Sequence, residues 1–318
     1  MMFDTLTSPI VLFFVLGFVA AIARSDLTIP ESFAKSMSIY LMASIGLKGG
    51  VEVARTGLTH ELVTTALAGF LLSLLVPFLA HSLLRTFGRL SKVDAAAVAA
   101  HYGSASMVTF LTAREVLTEG GMRPAAFMIA VLAVMETPAI LSGLFLARRG
   151  EKRESGEDGR GFAHEILTNA SVVLLLGAFM IGLVAGEDGF APVKPLFDSG
   201  FRGVLCLFLL DMGLVAARRM IQSSKLTLRL TLLAIGMPLI HGAIGTFIGT
   251  WLGLDVGSAA ALGVLAASSS YIAVPAAMRL ALPEADPGIY LSMSLGITFP
   301  FNVLFGISIM ATLARALG

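Results

Sequence analysis

The chain has 318 residues, of which 56% are hydrophobic and 14% charged, and its net charge is +1. Soluble domains run at about 45–50% apolar and roughly 25% charged, so this composition excludes a soluble enzyme and a disordered scaffold. The near-zero charge excludes a binder of nucleic acid, which needs a basic surface. The fold class expected is an all-α integral membrane protein.

Ten apolar stretches are long enough to approach the roughly 20 residues that a membrane helix needs. In chain order they are 8–24, 31–51, 61–84, 94–118 and 124–147, then 165–186, 196–217, 226–252, 256–281 and 287–315. The start, Met1-Met2-Phe3-Asp4, lacks the basic flank of a signal peptide. The first stretch is therefore expected to stay as a membrane helix. Cys206 lies in the apolar run Val204–Phe208 and reads as a small buried hydrophobe; a lone cysteine makes no intramolecular disulfide.

Between the fifth and sixth stretches lies a polar run, Arg148 to Arg160. It divides the chain into a first repeat at 1–147, a cytoplasmic linker at 148–164 and a second repeat at 165–318. The halves resemble each other. Lys48-Gly49-Gly50 aligns with Asp211-Met212-Gly213, Val93-Asp94 with Leu254-Asp255, Arg123-Pro124 with Asp286-Pro287, and Pro138 with Pro300, all at offsets of 161 to 163. Five helices is an odd number, so the second repeat enters from the opposite side. Inverted five-helix repeats mark many secondary transporters. Of the 22 Lys and Arg residues, fifteen fall on the linker's face, which places the linker in the cytoplasm and both termini outside the inner (cell) membrane.

The fourth and ninth helices are each interrupted by small hydroxylated residues. The first carries Gly103, Ser104, Ser106 and Thr109; the second carries Ser268, Ser269, Ser270 and Tyr271, with Pro275 placed to start a new helix. Packing by small residues is the plain explanation. The sharper one is a pair of broken helices whose starting N–H groups bind an anion near the midplane. Glu136, before Pro138 in the fifth helix, is an intramembrane carboxylate and so a candidate cation ligand. Asp211, equivalent to Lys48, is a second candidate for cation coupling, and the two would neutralise each other if paired. His101 and His241 read as structural histidines. No spacing fits a nucleophile–base pair or a phosphate loop, so no enzyme is expected.

These residues resemble the sodium-dependent bicarbonate transporter superfamily over nearly the whole length. The carriers are Ile29-Pro30-Glu31-Ser32, Ile45-Gly46-Leu47-Lys48-Gly49-Gly50, Tyr102-Gly103-Ser104-Ala105-Ser106, Ala267-Ser268-Ser269-Ser270 and Gly296-Ile297-Thr298-Phe299-Pro300. The resemblance implies ten helices in core and gate subdomains, a homotrimer and an elevator-like motion. It implies an anion site between the interrupted helices and an acidic residue before a proline, here Glu136. It also implies a cytoplasmic PII-like regulator, as in cyanobacterial members. Two positions depart from the cyanobacterial branch: Tyr271 stands where that branch has an aspartate, and Val108 where it has a serine.

The function expected is therefore secondary active transport of a small anion, bicarbonate first, with Na+ as the coupling ion and no organic cofactor. The alternatives are a sodium- or proton-coupled symporter of another small carboxylate, and a non-transporting membrane anion sensor.

Overall fold

The computed structural model describes residues 9–57, 59–136, 138–148, 170–222, 226–271 and 273–318, and all regular structure among them is helical. Residues 149–164 of the expected linker lie outside the described residues.

The first half contains α1 (Pro9–Ile22), α2 (Glu31–Thr56), α3 (His60–Thr86), α4 (Lys92–Gly103), α5 (Met107–Glu119), α6 (Met128–Met135) and α7 (Pro138–Arg148). The second contains α8 (Ala170–Phe190), α9 (Phe201–Gln222), α10 (Leu228–Trp251), α11 (Val256–Ala267), α12 (Ala273–Ala281) and α13 (Pro287–Leu317). Among the described residues, five stretches are long and apolar enough to cross a membrane: His60–Thr86, Met128–Arg148, Pro195–Arg218, Leu228–Trp251 and Pro287–Leu317. These make the chain a multi-pass membrane protein. The interrupted helices α4, α5 and α11 are each 12 or 13 residues long. At 1.5 Å per residue each rises only about 18–20 Å, short of a bilayer's roughly 30 Å.

Local chemistry sets the helix starts. The Thr59 hydroxyl accepts from Leu62 N–H at the head of α3, and Ser91 accepts from Asp94 N–H at the head of α4. Thr227 and Asp255 do the same for α10 and α11. Each cap satisfies a donor that would otherwise face a low-dielectric surround. Helix α2 runs to Thr56, five residues past the expected 51. Its end, Val51-Glu52-Val53-Ala54-Arg55, is polar enough for an interface yet still helix-forming, and Gly57, at φ +78°, closes it with an N–H to the Val53 carbonyl.

Two helix crossings depend on glycine. Helix α1 crosses α9 where Gly17 meets the Leu210 carbonyl and Gly213 meets the Phe14 carbonyl. Helix α2 crosses α8 where Gly50 meets the Phe179 carbonyl and Gly182 meets the Leu47 carbonyl. A Cβ at any of the four would strike backbone. Such contacts let two backbones approach closely in lipid, where packing replaces the hydrophobic effect as the driving force. Around them, α3, α4 and α7 form one packed group, and α10, α11 and α13 another. Prolines Pro77 in α3 and Pro238 in α10 are both buried.

Ion pairs tie neighbouring elements together. Lys48 forms an ion pair with Asp198 at 2.5 Å and lies over the Phe201 ring. It does not pair with Asp211; the α2–α9 geometry brings it to the segment leading into α9 instead. Arg202 of α9 binds Glu115 at 2.7 Å and Glu119 at 3.6 Å, tying α9 to the far end of α5.

Candidate functional site

The two interruptions meet. Helix α4 is buried on every side from Ala95 to Gly103, so it runs into the protein rather than along its surface. It ends at Ser104, whose backbone is extended, and the chain restarts at Ser106, the N-cap of α5. Helix α11 is likewise buried from Gly257 to Ala267 and ends at Ser268, also extended. The Ser106 N–H donates to the Ser268 hydroxyl at 2.8 Å, and the Ser270 N–H donates to the His101 carbonyl at 2.9 Å. These two reciprocal bonds join residues more than 160 positions apart in sequence.

Hydrogen bonds at the junction sort the hydroxyls into two groups. Ser268 is fully engaged: it donates to the Leu265 carbonyl at 2.7 Å and accepts from Ser106. Ser104 donates to the Glu136 carbonyl at 2.8 Å. Thr109 donates through both its N–H and its hydroxyl to the Ser106 oxygen, at 3.4 and 3.1 Å. Ser106 Oγ therefore accepts twice, and its own proton is left over. The Ser269 hydroxyl and the Tyr271 hydroxyl are buried without a hydrogen-bond partner; that of Tyr271 lies beside Ser106, outside bonding geometry. Buried hydroxyls are normally satisfied, and these two lie at one junction.

The backbone donors differ from the sequence expectation. The N–H groups of Ala105, Ser106 and Ser270 are all occupied by protein acceptors. Those of Met107 and Val108, the first of α5, have no acceptor within their helix. Gly103 faces away from the junction: a Cβ there would strike the Pro77 ring and lie 2.8 Å from Ala139 Cβ. Its lack of a side chain lets α4 seat between α3 and α7.

Tyr271 also forms a wall. Its ring centroid is 5.1 Å from that of Phe299, which meets the Phe14 ring edge-on at 5.3 Å. Two further groups were not expected from sequence. Asn302 donates to the Ala267 carbonyl at 2.8 Å, while its own amide oxygen is buried without a partner. Tyr102 and Thr298 share a 2.6 Å bond, and Thr298 donates to the Ala234 carbonyl at 2.6 Å, so Tyr102 is the donor of the pair. Both Asn302 and Thr298 sit in π-helical turns of α13, at Asn302–Gly306 and Ser292–Thr298. Such turns often mark functional positions.

Glu136 ends α6, one residue after Met135 and two before Pro138. Pro138 has no N–H, so the Val134 carbonyl one turn earlier loses its normal helical donor. Among the described residues the Glu136 carboxylate pairs with no cation. A carboxylate and a released carbonyl are hard oxygen donors, a set that suits Na+. Among the described residues no group of three or more His, Cys, Asp or Glu side chains comes together. Asp211 is buried on α9, a helix packed on α1 and α13 rather than on the break at Glu136.

The model of the Na+-dependent bicarbonate transporter superfamily matches residues 9–315. The chain belongs to that superfamily. The match spans both interrupted helices and Glu136, and it makes the chain a transporter rather than an enzyme. Membership brings Na+ as the suggested coupling ion and bicarbonate as the suggested substrate. A comparison with curated proteins finds no match.

Proposed function

We propose that the chain is a secondary active transporter carrying bicarbonate with Na+, and that the anion binds where α5, α11 and the Ser269–Tyr271 turn meet. The observation that carries this reading is the pair of unpartnered buried hydroxyls on Ser269 and Tyr271, beside the spare proton of Ser106. Bicarbonate is a small monoanion that exchanges hydration for several such donors without needing a full positive charge. Ser104, Thr109, Ser268 and Ser270 would frame the site, and Gly103 would allow its close packing. The cation would bind at Glu136 and the Val134 carbonyl, with Asp211 a separate and weaker candidate.

Ser269→Ala and Tyr271→Phe remove no hydrogen bond that the protein makes with itself. Both variants should melt at or slightly above the wild-type temperature. Both should weaken bicarbonate uptake into proteoliposomes by roughly tenfold, the loss expected for one unmet bond to a charged ligand. Ser106→Ala should do the same and also lower stability, because it removes the cap of α5. Ser82, exposed and bonded only within its own turn, serves as the silent Ser→Ala control. Normal uptake by both Ser269→Ala and Tyr271→Phe would move the site elsewhere.

A second reading, a small organic monocarboxylate, is favoured by the Tyr271–Phe299 ring pair, which offers an apolar surface that bicarbonate does not use. A panel of labelled anions, each with and without a sodium gradient, separates the two. A membrane sensor would bind anion in the same panel and show no flux.

The architecture proposed is two inverted repeats of five spans. The crossings support it: Gly50 and Gly213 are 163 positions apart, as in the aligned halves, and Gly17 and Gly182, at 165, lie two positions beyond that range. In that arrangement α1, α2, α8 and α9 form the gate, and the helices around the breaks form the core that slides against it as an elevator. A homotrimer and a PII-like regulator on the cytoplasmic face belong to the same reading. Cysteines introduced at Ser155 and Gly318, with Cys206 replaced, should label from opposite sides of the inner membrane, the terminus from outside. Labelling of both from one side would rule out the odd-numbered repeat.

A further inference from the structure

One hydroxyl outside both interruptions enters the break beside Glu136. Ser73 lies in the middle of α3, fully buried, one turn before Pro77. It donates to the Met135 carbonyl at 2.8 Å and accepts from the Ala139 N–H at 3.2 Å. Met135 and Ala139 are four residues apart, and in an unbroken helix they would bond to each other. Ser73 takes the place of that bond. The Met135 carbonyl also accepts from the Ala105 N–H at 3.3 Å, and the adjoining Glu136 carbonyl accepts from the Ser104 hydroxyl. Two consecutive carbonyls of the Glu136 segment are thus held by the turn that ends α4, and the helix bond that would compete for the first is taken up by Ser73.

Among the described residues the second half shows no such wedge. The residue equivalent to Ser73 is Ala234, whose carbonyl accepts from Thr298. There is no carboxylate at the equivalent place, where Thr298 and Phe299 stand. The wedge and the carboxylate therefore occur together, on one side of the junction.

We propose that Ser73 is a positioning residue that couples the two bound ions: by holding the α6–α7 break open, it lets a cation at Glu136 set the Ser104–Ala105 turn against the anion. The inference rests on the reading of Glu136 given above. Without the hydroxyl, the Ala139 N–H can close back onto the Met135 carbonyl, which draws α6 and α7 together and shifts that carbonyl relative to Ala105.

The test is uptake of labelled bicarbonate by proteoliposomes, measured against Na+ concentration. Ser142 supplies the control. It is buried on α7, and its hydroxyl bonds the Leu74 carbonyl of α3 at 2.7 Å, so it ties the same two helices one turn away without entering the break. Ser73→Ala should raise the half-saturating Na+ about tenfold, matching one lost buried hydrogen bond. It should also weaken the effect of Na+ on the bicarbonate KM. Ser142→Ala should lower thermal stability similarly and leave both quantities within about twofold of wild type, the scatter of a neutral substitution. An unchanged Na+ dependence in Ser73→Ala overturns the proposal, as does an equal shift in Ser142→Ala. If Ser73→Ala cannot be purified folded, Ser73→Cys, with a weak donor of similar size, should give an intermediate shift, and wild-type Na+ dependence there overturns it equally. Glu136→Gln run alongside separates the two layers. If it abolishes the Na+ response while Ser73→Ala does nothing, only the coupling fails. If it leaves the Na+ response intact, the cation reading itself fails.

Discussion

Glu136→Gln is expected to raise the half-saturating Na+ concentration by roughly ten- to a hundredfold while leaving the protein folded. The estimate is the worth of one charged ligand oxygen exchanged for a neutral one. Glutamine has the same shape and keeps one carbonyl oxygen, so packing and part of the coordination survive. What is lost is the full negative charge that offsets a bound cation in a medium where charge is expensive to bury. The fold should tolerate the change, because the Glu136 side chain holds no ion pair among the described residues; the links from this segment to α4 run through backbone carbonyls. Uptake at saturating Na+ should recover most of the wild-type rate. The check is a sodium titration of bicarbonate uptake beside a melting curve of the purified variant. A wild-type titration would assign Glu136 to structure and leave the cation site to other oxygens.

The sequence was most legible where one physical rule dominates. Membrane thickness dictates helix length, and among the described residues five of the ten apolar stretches correspond to helices long and apolar enough to cross a membrane. The interruption at Ser104–Ser106 was legible because hydroxyls and extended backbone substitute for helical bonds, and the same held for Ser268–Ser270. What could not be read was the allocation of donors. Ser106 and Ser268 look alike as letters, yet one keeps a spare proton and the other has none, a difference set by contacts across more than 160 residues. Gly103 read as part of an anion site because it sits in the motif; its actual neighbours, Pro77 and Ala139, are invisible until α3 and α7 are packed. Ser73 carried no signal at all, since a lone serine in an apolar helix ordinarily bonds its own preceding turn. The Lys48–Asp211 pairing failed for a related reason: equivalence under an internal repeat places two residues in similar surroundings, not in contact.

Gly50→Val and Gly213→Val should each abolish recovery of folded protein from the membrane. At Gly50 an added Cβ would strike the Phe179 carbonyl and lie 2.5 Å from Leu183 N; at Gly213 it would strike the Phe14 carbonyl and lie 2.8 Å from Phe18 N. These obstacles are backbone, which cannot rotate away as a side chain can. Relief requires the helices to separate, and separation loses the contacts along the whole crossing. Overpacking in a core that can adjust costs about 1–3 kcal/mol; here adjustment means parting a helix pair along its whole crossing, so the expected effect exceeds that range. Controls lie on the partner helices themselves. Gly177 on α8 and Gly203 on α9 have open space where a Cβ would go, so Gly177→Ala and Gly203→Ala should be neutral or slightly stabilising, since alanine favours helix over glycine. Size-exclusion profiles and melting curves in detergent read both sets. If the two crossings are related by the proposed internal symmetry, Gly17→Val and Gly182→Val should fail as completely as their counterparts. A variant at one crossing that folds normally while its counterpart does not would show that the crossings carry unequal loads, and the symmetric gate would have to be abandoned.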